Sequence, residues 1–136
     1  MLSALREDAL GTTGDGFVLR LSLPWIRSLP LWSLTELEVT IDGCPEPRLR
    51  IEMGGRAIAP PDLADEPGWW FVQDRLVLRG DQTVLPGDHE VSVSFYLVVP
   101  YLQAGPDGPL RLPFRFDRTL SLNDPSALTT VALDVA

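Results

Sequence analysis

Cysteine occurs once, at Cys44, so the chain cannot close a disulfide on itself. That suits a reducing compartment. Histidine also occurs once, at His89. Metal centres usually gather several His, Cys or carboxylate ligands, and no motif joins these two residues. No metal site is expected in this chain. Basic residues are scarce too: 11 Lys and Arg stand against 19 Asp and Glu, a formal net charge of −8. Binding a phosphate backbone needs clustered cations, which argues against nucleic acid and anionic membranes as partners. No stretch approaches the roughly 20 apolar residues of a membrane span. The opening Met1-Leu2-Ser3-Ala4-Leu5-Arg6-Glu7-Asp8 carries acids where a signal peptide has a long apolar run. A cytoplasmic location is the expectation.

What is present points to a globular all-β chain. Apolar residues make up 45% of its 136 positions, enough for one domain, residues 1–136, with a real core. Its 11 glycines and 13 prolines suit short strands and tight turns better than a helix bundle. The clearest strand follows Pro86-Gly87-Asp88. Val91, Val93, Phe95, Leu97 and Val99 share one face, and Glu90, Ser92, Ser94, Tyr96 and Val98 the other. Such alternation marks a half-buried strand that others must cover.

The same pattern predicts strands at Phe17–Leu23, Leu34–Ile41, Leu49–Met53, Leu76–Leu78 and Phe114–Leu122, with a short last one near 131–135. Residues 2–10 fit either a weak helix or an edge strand. Pro60–Asp65 reads as one helical turn, its prolines placed where missing amide donors do least harm. Pro100-Tyr101-Leu102 reads as the chain leaving the sheet. Arg118 breaks the pattern of the 114–122 strand, because its parity puts it on the apolar face. It marks a strand end, a bulge or a charge seeking a partner. Turn signals recur about every ten residues, the rhythm of a sandwich. The prediction is an antiparallel β-sandwich, or flattened barrel, of about 7 to 9 short strands with one helical turn near 61–65.

Residues 25–33 form an unusually apolar connection, Trp-Ile-Arg-Ser-Leu-Pro-Leu-Trp-Ser. Loops normally stay polar, so this one folds back over the core or is buried by another chain. Trp25, Trp32, Trp69 and Trp70 all lie in connections or strand starts. They either plug the open ends of the sandwich or serve an interface, where tryptophan is enriched. Adjacent residues of an extended segment face opposite ways, so Trp69 and Trp70 cannot both enter one core. One of them is a candidate for an interface or a sugar-stacking surface.

Catalytic candidates are thin. His89, at the mouth of a strand, reads as a structural hydrogen-bonder, since a general acid or base needs a cleft and a substrate within reach. Cys44 follows a turn with no nucleophile signature. Gly14-x-Gly16 and Gly54-Gly55 lack the strand-to-helix setting of a phosphate loop and read as turns. Asp62, Asp65 and Glu66 form an acidic patch that could do glycosidic chemistry, but exposed loop acids are far commoner.

The order Gly16-Phe17-x-Leu19-Arg20-Leu21-x-Leu23-Pro24-Trp25-x-Arg27-Ser28-Leu29-Pro30-Leu31, then Leu37-Glu38-Val39-Thr40-Ile41-Asp42-Gly43, resembles the small β subunit of C-glycoside deglycosidases. So do Gly54-Gly55-Arg56, Trp70-Phe71, and Leu85-Pro86-Gly87-Asp88-His89-Glu90-Val91 followed by Tyr101-Leu102. The likeness covers residues 9–122. It departs at Trp25-Ile26-Arg27-Ser28, where the family often has a Tyr-Tyr-Arg-Gly type run.

The resemblance implies a non-catalytic subunit bound to a larger α subunit with a TIM barrel. That partner would carry a divalent metal, manganese being the expected one, together with the catalytic bases. The complex would act on a 3-oxo-C-glycoside, such as a flavonoid glycoside already oxidised by a separate oxidoreductase. A ketone acidifies the neighbouring C–H, a Lewis acid stabilises the enediolate, and elimination breaks the carbon–carbon bond. The residues expected to face partner or substrate are Trp25, Ile26, Arg27, Trp32, Trp69, Trp70 and Tyr101. None is expected to be catalytic. The alternative is a free-standing carbohydrate-binding module; an independent hydrolase using His89 or the loop acids ranks last.

Overall fold

A computed structural model describes residues 4–13, 16–103, 108–122 and 134–135. The strands are β1 (Leu10–Thr13), β2 (Gly16–Ser22), β3 (Leu29–Pro30), β4 (Leu34–Ile41), β5 (Cys44–Pro45) and β6 (Arg50–Met53). They continue with β7 (Arg56–Ile58), β8 (Trp69–Trp70), β9 (Arg75–Gly80), β10 (Gly87–Gln103), β11 (Pro109–Leu122) and β12 (Asp134–Val135). Two 3₁₀ turns, Leu31–Ser33 and Pro60–Asp65, complete the order.

One sheet runs β1-β2-β9-β6-β7, with β12 added to β9 in parallel; a second runs β11-β10-β4-β5. All other pairings are antiparallel. The two sheets share one apolar core, with Phe17, Leu19 and Leu21 on one side and Val93, Phe95 and Leu97 on the other. Burial of each such side chain contributes roughly 1.5–3 kcal/mol. The all-β sandwich is therefore as the alternation predicts.

The strands differ from expectation in number and length. Among the described residues there are twelve segments, four of them the two-residue pairings β3, β5, β8 and β12. Two are long: β10 has 17 residues and β11 has 14. Pro100 does not end β10. The ladder with β11 shifts register between Val99 and Gln103, and an irregularity of that kind tolerates a residue without an amide donor. Near the N-terminus neither the helix nor the edge strand spans 2–10: residues 2 and 3 lie outside the described residues, 4–9 are bends and turns, and the strand begins at Leu10, although Arg20 and Ser22 of β2 donate to the carbonyls of Ala9 and Ala4.

β4 contains a bulge that resets its parity. Thr35 pairs with Tyr96 and Glu38 with Ser94, so Glu36 and Leu37 stand against Phe95 alone. Glu36 has φ +53°, the left-handed conformation that such a bulge needs. Leu34 and Leu37 can then both face inward, although an odd spacing separates them. Asp42 and Gly43, with φ of 51° and 82°, make the primed hairpin turn that matches strand twist between β4 and β5. Gly80 is required for a different reason: a β carbon there would lie 2.2 Å from the Phe17 ring.

Two arginines needed the tertiary structure to explain them. Arg118 donates to the Leu5 carbonyl and lies 4.0 Å from Glu7, so it is the charge that found a partner. Arg75, expected in a polar connection, is 1% exposed in β9 and pairs with Asp8 at 2.9 Å. On β11 only one edge is paired among the described residues, and Pro109 and Pro113 fall on this edge strand.

Candidate functional site

Glu46 and Gly80 fix which ends of the two sheets coincide. Glu46, just after β5, accepts from the amides of Asp81 (2.8 Å) and Gln82 (2.9 Å), just after β9. It also accepts from Arg48 at 2.9 Å, so this buried carboxylate is held by three backbone donors. Gln82 Nε2 donates to the Cys44 carbonyl at 3.1 Å, and Arg50 pairs with Asp81 at 3.0 Å.

His89 belongs to this same end. Its Nδ1 lies 2.6 Å from Asp42 Oδ2 and its Nε2 lies 2.6 Å from the Leu85 carbonyl. The Asp42 hydrogen bond, then that of Leu85, raises the His89 pKa above its ordinary value. The His89 hydrogen bond, then the Glu90 amide, lowers that of Asp42. The structural role expected of the histidine is the one its contacts describe. Free Cys44 is exposed at the start of β5, and of the loop acids Glu66 pairs with Arg56 at 3.1 Å.

The opposite end, where β2 stops and β9, β4 and the far half of β10 begin or finish, is closed by residues 23–33 and 69–74. Both alternatives for the apolar connection are partly realised. Leu29, Leu31 and Ser33 fold back and are buried, while Ile26 is 76% exposed and Trp32 is 38% exposed. β3 pairs with β8, matching Leu29 to Trp70 and Pro30 to Trp69. Leu31 N donates to the Gly68 carbonyl (3.0 Å), and Val72 N donates to Ser28 Oγ (2.8 Å). The two segments are thus fastened together.

Strand alternation then separates the tryptophan pair. Trp70 is 1% exposed, its indole donating to the Asp74 carbonyl at 3.3 Å. Grouped above with the surface candidates, it is instead a core residue. Trp69 is 50% exposed. Beyond it Phe71 and Val72 are also exposed, and sequence reasoning missed both because their segment reads as a strand start. Among the described residues, five of the seven exposed large apolar ones come from these two segments: Ile26, Trp32, Trp69, Phe71 and Val72. Among the closing residues 23–33 and 69–74 only two are charged, exposed Arg27 and half-buried Asp74. The side chain of Tyr101 lies outside the described residues.

Two grooves adjoin this end. Half-buried Trp25 and exposed Ile26 line one of about 610 Å³ with Phe114, Arg115 and Phe116 of β11. Phe114 and Phe116 stack with a 6.2 Å centroid separation and are only partly covered by the opposing sheet. Trp32 lines the other, of about 510 Å³, which runs past Glu36, Pro60 and Pro61 to Glu46 and Pro47 of the polar end. Among the described residues no three His, Cys, Asp or Glu side chains gather to hold a metal. The described residues contain no helix long and apolar enough to cross a membrane.

What this end can do is bind. Interface cores are rich in aromatics and depleted of charge, and a contiguous exposed apolar patch marks an interaction site. The class defined is a β-sandwich with one polar, hydrogen-bonded end and one apolar, aromatic end.

No family model matches the chain. Among curated proteins it is 36% identical to the C-glycoside deglycosidase beta subunit of Microbacterium trichothecenolyticum, over 72% of this chain and 78% of that protein. A C-glycoside deglycosidase beta subunit of Arthrobacter globiformis is 38% identical, over 66% and 73%. The 3'-dehydrocarminate deglycosidase beta subunit of a Microbacterium species is 36% identical, over 71% and 76%. The chain belongs to the C-glycoside deglycosidase beta subunit family. A beta subunit implies a partner subunit.

Proposed function

We propose that the chain is the non-catalytic small subunit of a heteromeric C-glycoside deglycosidase and that its apolar end docks on the larger subunit. The observation that carries this reading is the charge-poor cluster of Ile26, Trp32, Trp69, Phe71 and Val72, held in place by the β3–β8 pairing. On this reading the larger α subunit has a TIM barrel and supplies the divalent metal and the bases. It cleaves the carbon–carbon bond of a 3-oxo-C-glycoside by elimination, a lyase reaction. The small subunit contributes surface and shape, and the complex works in the cytoplasm.

Expressed alone, the chain should self-associate or be poorly soluble, and co-expression with the larger subunit should rescue it. The double variant Ile26→Ala, Trp69→Ala should weaken capture by that subunit about thirtyfold or more, the loss expected on truncating interface hot spots. Capture unaffected by the substitutions, or full cleavage by the small chain alone, would overturn the reading.

A second reading, a sugar-binding module, has the Trp32 groove in its favour. An exposed indole lines that groove together with Glu36, whose carboxylate is paired with Arg111. Calorimetry of the isolated chain with C- and O-glycosides separates the two, because a module binds sugar without its partner.

A further inference from the structure

Both ring nitrogens of His89 face atoms that can only accept. Asp42 Oδ2 is a carboxylate oxygen and Leu85 O a carbonyl, each at 2.6 Å. A neutral imidazole has one N–H and one lone pair, so it can satisfy one of them; the imidazolium satisfies both. The ring therefore ties two segments far apart in the chain, the β4–β5 turn and the loop 81–86 ahead of β10. Every titratable neighbour that faces it favours the cation. Asp42 closes the far side, its Oδ1 accepting from the Glu90 amide (3.0 Å). Asp88 and Glu90 flank it on β10, themselves accepting from Ser121 and Thr119 of β11. Within the loop the other charge, Asp81, is already paired with Arg50.

We propose that His89 is a proton-loaded clamp: the imidazolium fastens loop 81–86 to the β4–β5 turn, and loss of one proton releases the loop. The carboxylate keeps the remaining proton on Nδ1, because a charged acceptor binds it more strongly than a carbonyl does. The Leu85 contact is the one that opens. The start of the loop stays pinned through Glu46 and its middle through Val84, which is buried in the core, so release is confined to residues 85–87. The sign follows from the raised pKa of His89. Its contribution to stability is complete below the unfolded value near 6.5 and is lost as pH rises through the folded one. The lowered pKa of Asp42 sets the acid limit, its contribution lost as pH falls through the folded value.

Because His89 is the one histidine, its ring protons give a single assignable NMR signal. The signal should titrate with a midpoint above 6.5, and Asp42→Asn should lower that midpoint about tenfold in proton affinity, roughly one unit. Amide exchange at residues 85 and 87, corrected for the intrinsic pH dependence, should accelerate about tenfold or more above the midpoint. Exchange in Val91–Val99 should not. His89→Gln should abolish the pH dependence of loop exchange while leaving the sheet protected. A midpoint at or below 6.5, or one unmoved by Asp42→Asn, would overturn the clamp, as would loop exchange indifferent to the titration.

Discussion

At one end of the sandwich Glu46 accepts from three backbone amides and His89 bridges a turn to a loop. At the other, indoles and a phenyl ring stand in water with only one arginine and one aspartate in the segments that carry them. Both ends are built of connections, and connections have to satisfy their backbone polar groups somehow. The polar end does so with long-range side-chain bonds from Glu46, Gln82 and His89. The apolar end does so with the small β3–β8 ladder, which frees its side chains for another task. The difference teaches that an end of a sandwich can be closed without being covered.

The sharpest way to test this contrast is within one dipeptide. Trp70→Ala should destabilise the chain by roughly 3–5 kcal/mol, the usual loss for a buried aromatic, read as a shift in denaturant midpoint. Glu46→Ala should cost about 3 kcal/mol, because hydrogen bonds to a charged group contribute about 1.5–3 kcal/mol each and buried donors would be left unpaired. That loss should appear first as fast exchange at the Asp81 and Gln82 amides. Trp69→Ala comes last, with a change within about 0.5 kcal/mol in the isolated chain. A Trp69→Ala loss comparable with that of Trp70→Ala would make the apolar end a second piece of core and erase the contrast.

Much of the fold is legible in local alternation. β2, β4 and β10 lie where period-two patterning puts them, because one buried face leaves its mark on every second residue. The Trp69-Trp70 split was legible for the same reason, although which indole turned inward was not. What stayed hidden depends on distant partners. Arg75 looks like a polar connector until Asp8, 67 residues earlier, is brought beside it. Glu46 looks like one more turn acid until residues 81 and 82 arrive. Pro100 was misread because a strand with an irregular ladder can absorb a proline that a regular one cannot. Phe71 and Val72 were overlooked because a strand pattern says which face a residue takes, and a two-residue strand has too few positions to show one.

β11 offers its neighbours 14 residues of backbone with a whole side vacant among the described residues, a geometry that in other proteins seeds fibrils or recruits foreign strands. Pro109 and Pro113 interrupt that invitation, since neither carries an amide hydrogen to share. A strand adding there would find its ladder broken at both positions, so the edge discourages the open-ended stacking that a regular one invites.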